Sequence, residues 1–164
     1  MDARRLLIML IGSAALSACG FELRGTVTLP FARIALEGFA TRSSLADELR
    51  RSLAQSAVVV AAPAQAQVVL QVINDQREKS VVAWTSAGQV RELQLRVRLE
   101  FRLSTPGGRE LMPATELLQT RDLSYTETLA LAKEYEESQL YRAMQSDIVD
   151  QVMRRLARIR NLQG

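Results

Sequence analysis

The strictest hydrophobic pattern in the chain is an alternation. Leu93, Leu95, Val97, Leu99, Phe101 and Leu103 are apolar, with Gln94, Arg96, Arg98, Glu100 and Arg102 between them. Six apolar positions at period two predict a strand with one buried and one wet face. A Val- and Ile-rich run from Gln67 to about Thr85 precedes it, interrupted by the polar stretch Asn74 to Lys79, which reads as a bulge. Ser86-Ala87-Gly88 reads as the hairpin turn between the two. Pro106-Gly107-Gly108 suits a type II turn into a last strand from about Thr115 to Tyr125. Shorter runs at Ala32–Leu36 and Val58-Val59-Val60 predict two more strands, the second buried. Between them Ser43-Ser44 opens a helix whose Leu45, Leu49 and Leu53 fall four apart, with Ser44 and Asp47 at capping-box spacing. Leu140, Met144, Ile148, Val152, Leu156 and Ile159 form the stripe of a long helix over about Ala132 to Ile159. Glu134, Glu136 and Glu137 lie near its start and Arg154, Arg155 and Arg158 near its end, as the helix dipole favours. The order β-α-β-β-β-β-α predicts an α+β two-layer sandwich. Its mainly antiparallel or mixed sheet has four to five strands, with two helices on one face. The other face, with Arg96, Arg98 and Arg102 beside Glu100, is left as a basic strand open to a partner or to water.

The N-terminus breaks the amphipathic pattern. Arg4 and Arg5 precede an apolar run from Leu6 to Leu16, too short for the roughly 20 residues that span a bilayer. Leu16-Ser17-Ala18-Cys19 follows and has the form of a lipobox, predicting a lipoprotein signal peptide over residues 1–18. Cys19 is the chain's one cysteine, so lipidation consumes a thiol that would otherwise lack a partner. The bacterial modification supplies three acyl chains (palmitate among them), enough for stable anchoring. Gly20, in place of the Asp that retains lipoproteins at the inner membrane, predicts the outer membrane, facing the periplasm. Residues 19–31 read as a lipidated tether and 32–164 as one domain. Loss of Arg4, Arg5 and Asp2 with the signal takes the formal charge from +3 to +2, too little to imply nucleic acid.

The chain contains no histidine, which removes Ser-His-Asp and Cys-His catalysis and the commonest zinc ligand. Gly107-Gly108 lacks the spacing of a phosphate loop, and Glu134, Glu136 and Glu137 are accounted for by the helix start. No catalytic residue, metal or cofactor is expected. Lys133, at the foot of the last helix, reads either as a snorkelling helix-end lysine or as a site for an anion. Trp84, beside the hairpin turn, reads as a core or cross-strand residue ahead of a binding anchor.

Three segments resemble one family. Cys19-Gly20-Phe21-Glu22-Leu23-Arg24-Gly25 is similar to the start of the mature LPS-assembly lipoprotein LptE. Gly88-Gln89 with Glu92-Leu93-Gln94 resembles its central hairpin, and Ala130-Leu131-Ala132-Lys133 with Glu137 resembles the lead into its last helix. The resemblance covers essentially the whole mature chain. It implies a non-enzymatic outer-membrane lipoprotein that sits in the lumen of the LptD β-barrel. There it would assist the barrel's assembly and the delivery of lipopolysaccharide to the outer leaflet. It also implies lipopolysaccharide contact at Lys133. The family's basic residue at the hairpin turn has no counterpart in Thr85-Ser86-Ala87, and Arg91, a few residues on, is the nearest candidate for it. The alternative is a periplasm-facing lipid carrier that works without a barrel, which would need an apolar cavity.

Overall fold

The computed structural model describes residues 27–160; the signal peptide, Cys19 and the family's N-terminal motif lie outside them. Five strands, β1 (Arg33–Glu37), β2 (Val58–Val60), β3 (Val68–Trp84), β4 (Val90–Ser104) and β5 (Glu110–Ser124), form one sheet in the order β2-β1-β3-β4-β5. β1 is parallel to both of its neighbours, whereas β3, β4 and β5 are antiparallel. Helices α1 (Ser44–Leu53) and α2 (Ala130–Leu156) complete the α+β fold in the expected element order. At 1.5 Å per residue, α2 runs about 40 Å, most of the length of the long strands.

The core lies between the helices and the inward face of the sheet. The six alternating residues from Leu93 to Leu103 are buried, and they meet Leu45, Leu49 and Leu53 of α1 and Met144, Ile148, Val152 and Leu156 of α2. Leu140 and Ile159, the ends of the predicted α2 stripe, are half-buried against the same core.

Local chemistry moves several boundaries. The N-cap of α1 is Ser43, not Ser44: its Oγ accepts from the Ala46 amide at 3.1 Å and donates to Asp75 Oδ2. The Val58–Val60 strand is an edge strand rather than a buried one, and Val58 is 62% exposed. β5 starts five residues earlier than the sequence suggested. Pro113 sits in this edge strand at a register shift, where a missing N–H costs no ladder bond. The turn at Pro106-Gly107 is not type II, because the positive φ falls on Gly108 (86°). Gly108 N donates to Thr105 O and Thr105 N to Arg109 O, a type I turn closed by a left-handed glycine. The β3–β4 hairpin repeats this geometry with Thr85 and Gly88 (φ 77°). In both hairpins the threonine Oγ1 accepts the amide of the residue that follows the glycine, at 3.2 Å.

The polar stretch of β3 is not itself a bulge. The register shift falls just before it, at Ile73. Val72 pairs with inward Phe101. With one residue inserted, Asp75, Arg77 and Lys79 come opposite inward Leu99, Val97 and Leu95. Three charged residues therefore face the helix layer, where the start of α1 meets two of them: Ser43 bonds Asp75 and Ser44 bonds Arg77.

Candidate functional site

Three surfaces carry the polar chemistry. The first is the outer face of β3-β4-β5, where Arg96, Arg98 and Arg102 all lie, as expected. Arg96 stands opposite Glu78 and Thr120, Arg98 opposite Gln76 and Leu118, and Arg102 opposite Gln71. The arginines are interleaved with acceptors rather than forming a bare cationic stripe. Arg98 Nη1 pairs with Glu116 Oε2 at 3.2 Å, Arg102 Nε donates to Gln71 Oε1 at 2.7 Å, and Arg96 donates to Gln94. Arg98 Nε is buried and has no hydrogen-bond partner among the described residues. Ile73 and Leu118, about half exposed, add apolar area on or beside this face. No helix covers it.

The second surface is the end of the molecule formed by the β3–β4 hairpin and the start of α2, and it brings Arg91 and Lys133 to one pole. Arg91 is the extra residue of the third irregularity in the β3–β4 ladder, after Ile73 and Val82; its carbonyl accepts from Tyr125 N at 2.8 Å and its side chain is exposed. It lines a hollow of about 550 Å³ with Thr85, Gln89, Tyr125 and Glu127. Lys133 is not a bare cation. Its side chain is 16% exposed, and Nζ is held by Glu136 Oε2 at 2.8 Å and Ser124 Oγ at 3.1 Å. Glu136, 50% exposed, can swing away and leave the ammonium to another anion. Trp84 pairs with Val90 across the hairpin, yet is 59% exposed rather than in the core.

The third surface is a hollow of about 930 Å³ between α1, α2 and β3, which sequence reasoning missed. Its floor is the charged row that the Ile73 bulge turns inward. Gln145, 5% exposed, is its hub: Nε2 donates to Ser44 O at 3.0 Å and Glu48 Oε2 at 2.6 Å, while Oε1 accepts from Ser44 Oγ and Arg77. Lys79 pairs with Glu137 at 3.1 Å. Arg77 stacks 5.5 Å from the Tyr141 ring centroid, and Tyr141 Oη donates to Glu78 O at 2.8 Å. Burial, reinforced by Glu137 and opposed by Arg77, raises the Tyr141 phenol above its ordinary pKa. The Gln145 signal, a polar residue one position past Met144 in the apolar stripe, was present in the sequence; its partner row was hidden by the bulge. The hub ties α1 to α2 and β3, and its groups bond one another rather than facing a reacting centre. Among the described residues no group of three or more His, Cys, Asp or Glu could hold a metal ion. No described helix is long and apolar enough to cross a membrane.

Comparison with known proteins agrees with this architecture. A solution structure of an uncharacterized lipoprotein B from Nitrosomonas europaea superposes with TM-score 0.71 at 33% identity, covering 84% of this chain and 90% of that one. The crystal structure of the rare lipoprotein B from Shewanella oneidensis superposes with TM-score 0.62 at 26% identity, covering 76% and 93%. The LPS-assembly lipoprotein LptE of Photorhabdus laumondii is 26% identical over 162 residues, 96% of this chain and 88% of that protein. That of Yersinia pestis (strain Pestoides F) is 28% identical over 158 residues, 93% and 75%. The model of the family LptE, lipopolysaccharide-assembly, matches residues 31–156, from buried Phe31 to the end of α2, and the chain belongs to that family.

Proposed function

We propose that this protein is an outer-membrane lipoprotein, anchored through lipid on Cys19, that occupies the lumen of the LptD β-barrel. There it assists the barrel's assembly and the passage of lipopolysaccharide to the outer leaflet, without catalysing a reaction. The observation that carries the reading is the open β3-β4-β5 face. It spans three long strands, alternates in charge and includes Arg98 Nε, buried and without a hydrogen-bond partner among the described residues. A partner acceptor at that nitrogen would satisfy a group whose burial otherwise costs free energy. Barrel lumens of this type are polar, and such a face suits them. The carrier alternative draws no support from the 930 Å³ hollow, which is open and lined by charged side chains rather than being an apolar chamber.

Within this role, Lys133 and Arg91 are the proposed contacts for lipopolysaccharide phosphate. The mature protein purified from outer membranes in mild detergent should bring LptD with it. Lys133→Glu should weaken lipopolysaccharide binding and leave the barrel complex intact. A protein that runs alone from cells containing LptD would overturn the proposal. Unchanged lipopolysaccharide binding in Lys133→Glu would return Lys133 to a lysine that braces the helix start.

A further inference from the structure

The end of the fold opposite the β3–β4 hairpin collects positive charge. α2 finishes with Arg154 and Arg155 in its last turn, and Arg158 and Arg160 follow within four residues of its end. No Asp or Glu lies between Gln151 and Arg160. Arginine at a helix C-terminus has an ordinary explanation in the macrodipole, but that amounts to about half a negative charge against four positive ones. Lys79, Arg98, Arg121 and Lys133 each meet a carboxylate, whereas among the described residues none of these four does. Arg154, Arg158 and Arg160 are exposed, and Arg155 Nη1 is buried without a hydrogen-bond partner among the described residues. The chain enters at the same end. Val27, the first described residue, accepts from Ser56 Oγ at 2.6 Å just past α1 and lines a hollow of about 370 Å³ with Val149, Met153 and Arg154. Cys19 precedes Val27 by eight residues, and a chain spans at most about 3.6 Å per residue, so lipid on Cys19 holds this end within roughly 30 Å of a membrane.

We propose that this arginine end lies against the anionic phospholipid headgroups of the leaflet that holds the Cys19 lipid. The inference rests on the lipid anchor proposed above and adds an orientation to it. Three acyl chains retain the protein without help from side chains. What they leave open is which end of a tethered domain faces the leaflet. A guanidinium bonds two phosphate oxygens at once, and anionic headgroups attract it within a Debye length, about 8 Å at physiological salt. The tether keeps the headgroups at high local concentration, so a modest attraction suffices. With the domain in the barrel lumen, the arginine end sits at the periplasmic mouth, level with those headgroups. The roughly 40 Å of α2 then runs along the lumen, close to the full thickness of a bilayer.

The test uses the mature chain with Cys19→Ser, so that binding reports the arginines and not the anchor. The protein should sediment with vesicles of phosphatidylcholine and phosphatidylglycerol but not with phosphatidylcholine alone, and added salt should release it. Arg154→Gln with Arg158→Gln should weaken that binding about thirtyfold, roughly fivefold for each arginine withdrawn. Both positions are exposed, so folding is kept, and LptD should still copurify with the variant. Arg42→Gln with Arg142→Gln removes the same charge from exposed positions away from this end and should bind close to wild type. Equal binding to the two kinds of vesicle would overturn the proposal, as would an equal loss in the two double variants. An Arg154, Arg158 variant that kept full vesicle binding and lost LptD would also overturn it, because this end would then be a contact with the barrel. Mass spectrometry of the wild-type chain from cells reads the Cys19 lipid separately. An unmodified Cys19 would fail the anchor reading, while the vesicles would still decide the arginine contact.

Discussion

Gly38, just after β1, should be the least replaceable glycine in the described fold. Its φ is +82°, and a Cβ built there falls 2.2 Å from Val72 O, 3.1 Å from Val72 C and 3.3 Å from Val72 N. Val72 is the last inward residue before the Ile73 bulge, so the obstacle is backbone held by ladder bonds on one side and a register shift on the other. Gly38→Ala incurs about 1 kcal/mol or more for the left-handed conformation. Relieving the overlap adds about 1–3 kcal/mol, the usual cost of overpacking. A loss of about 3 kcal/mol would lower Tm by roughly 10 °C in a domain of this size. Gly108→Ala is the control. Its φ is +86°, but nothing lies within 4 Å of the added carbon, so it incurs the strain alone, about 1 kcal/mol. Urea unfolding of the two variants, followed by far-ultraviolet circular dichroism, separates the terms. Circular dichroism is preferred because exposed Trp84 is a poor reporter of the core. If Gly38→Ala cost no more than Gly108→Ala, the close approach of the β1 turn to the bulge would be wrong.

Two further predictions concern the polar layer under the helices. Gln145→Leu leaves Ser44, Glu48 and Arg77 without their shared partner. It should cost about 2 kcal/mol in urea unfolding despite adding apolar area; a neutral or stabilising result would remove Gln145 as the hub. Tyr141 has a raised folded-state pKa, so folding favours the protonated phenol. Its contribution is complete below the ordinary value of 10.0 and is lost as pH rises through the higher folded value. Stability of the wild type relative to Tyr141→Phe should hold steady from pH 7 to 9 and fall above pH 10; a difference independent of pH would contradict the burial that raises the phenol.

The parts of the fold legible in the sequence were those with repeated signals. Six alternating residues defined β4 and its two faces, and a stripe over several turns defined α2. What escaped depended on single residues. One inserted apolar residue, Ile73, reverses the facing of β3 from Asn74 to Val81, and an isoleucine in a strand gives no sign of being the insertion. Val58-Val59-Val60 has the composition of a buried strand, but its position at the sheet edge is set by topology. The last strand begins at Glu110 rather than about Thr115 and runs through Pro113, which a strand tolerates at a sheet edge, and the edge position is again set by topology. The arginines of the outer face were placed correctly, whereas their interleaved acceptors come from β3 and β5 and needed the register. Lys133 was legible as a residue but not its tether to Glu136 and Ser124, since Ser124 belongs to another element.

The central claim, that the open sheet face meets the barrel, is tested most directly by photo-crosslinking in intact cells. A photoreactive residue at Gln76 or Leu118, both exposed on that face, should yield an adduct between this lipoprotein and LptD. Absence of any such adduct from both positions, with the protein correctly in the outer membrane, would contradict the account.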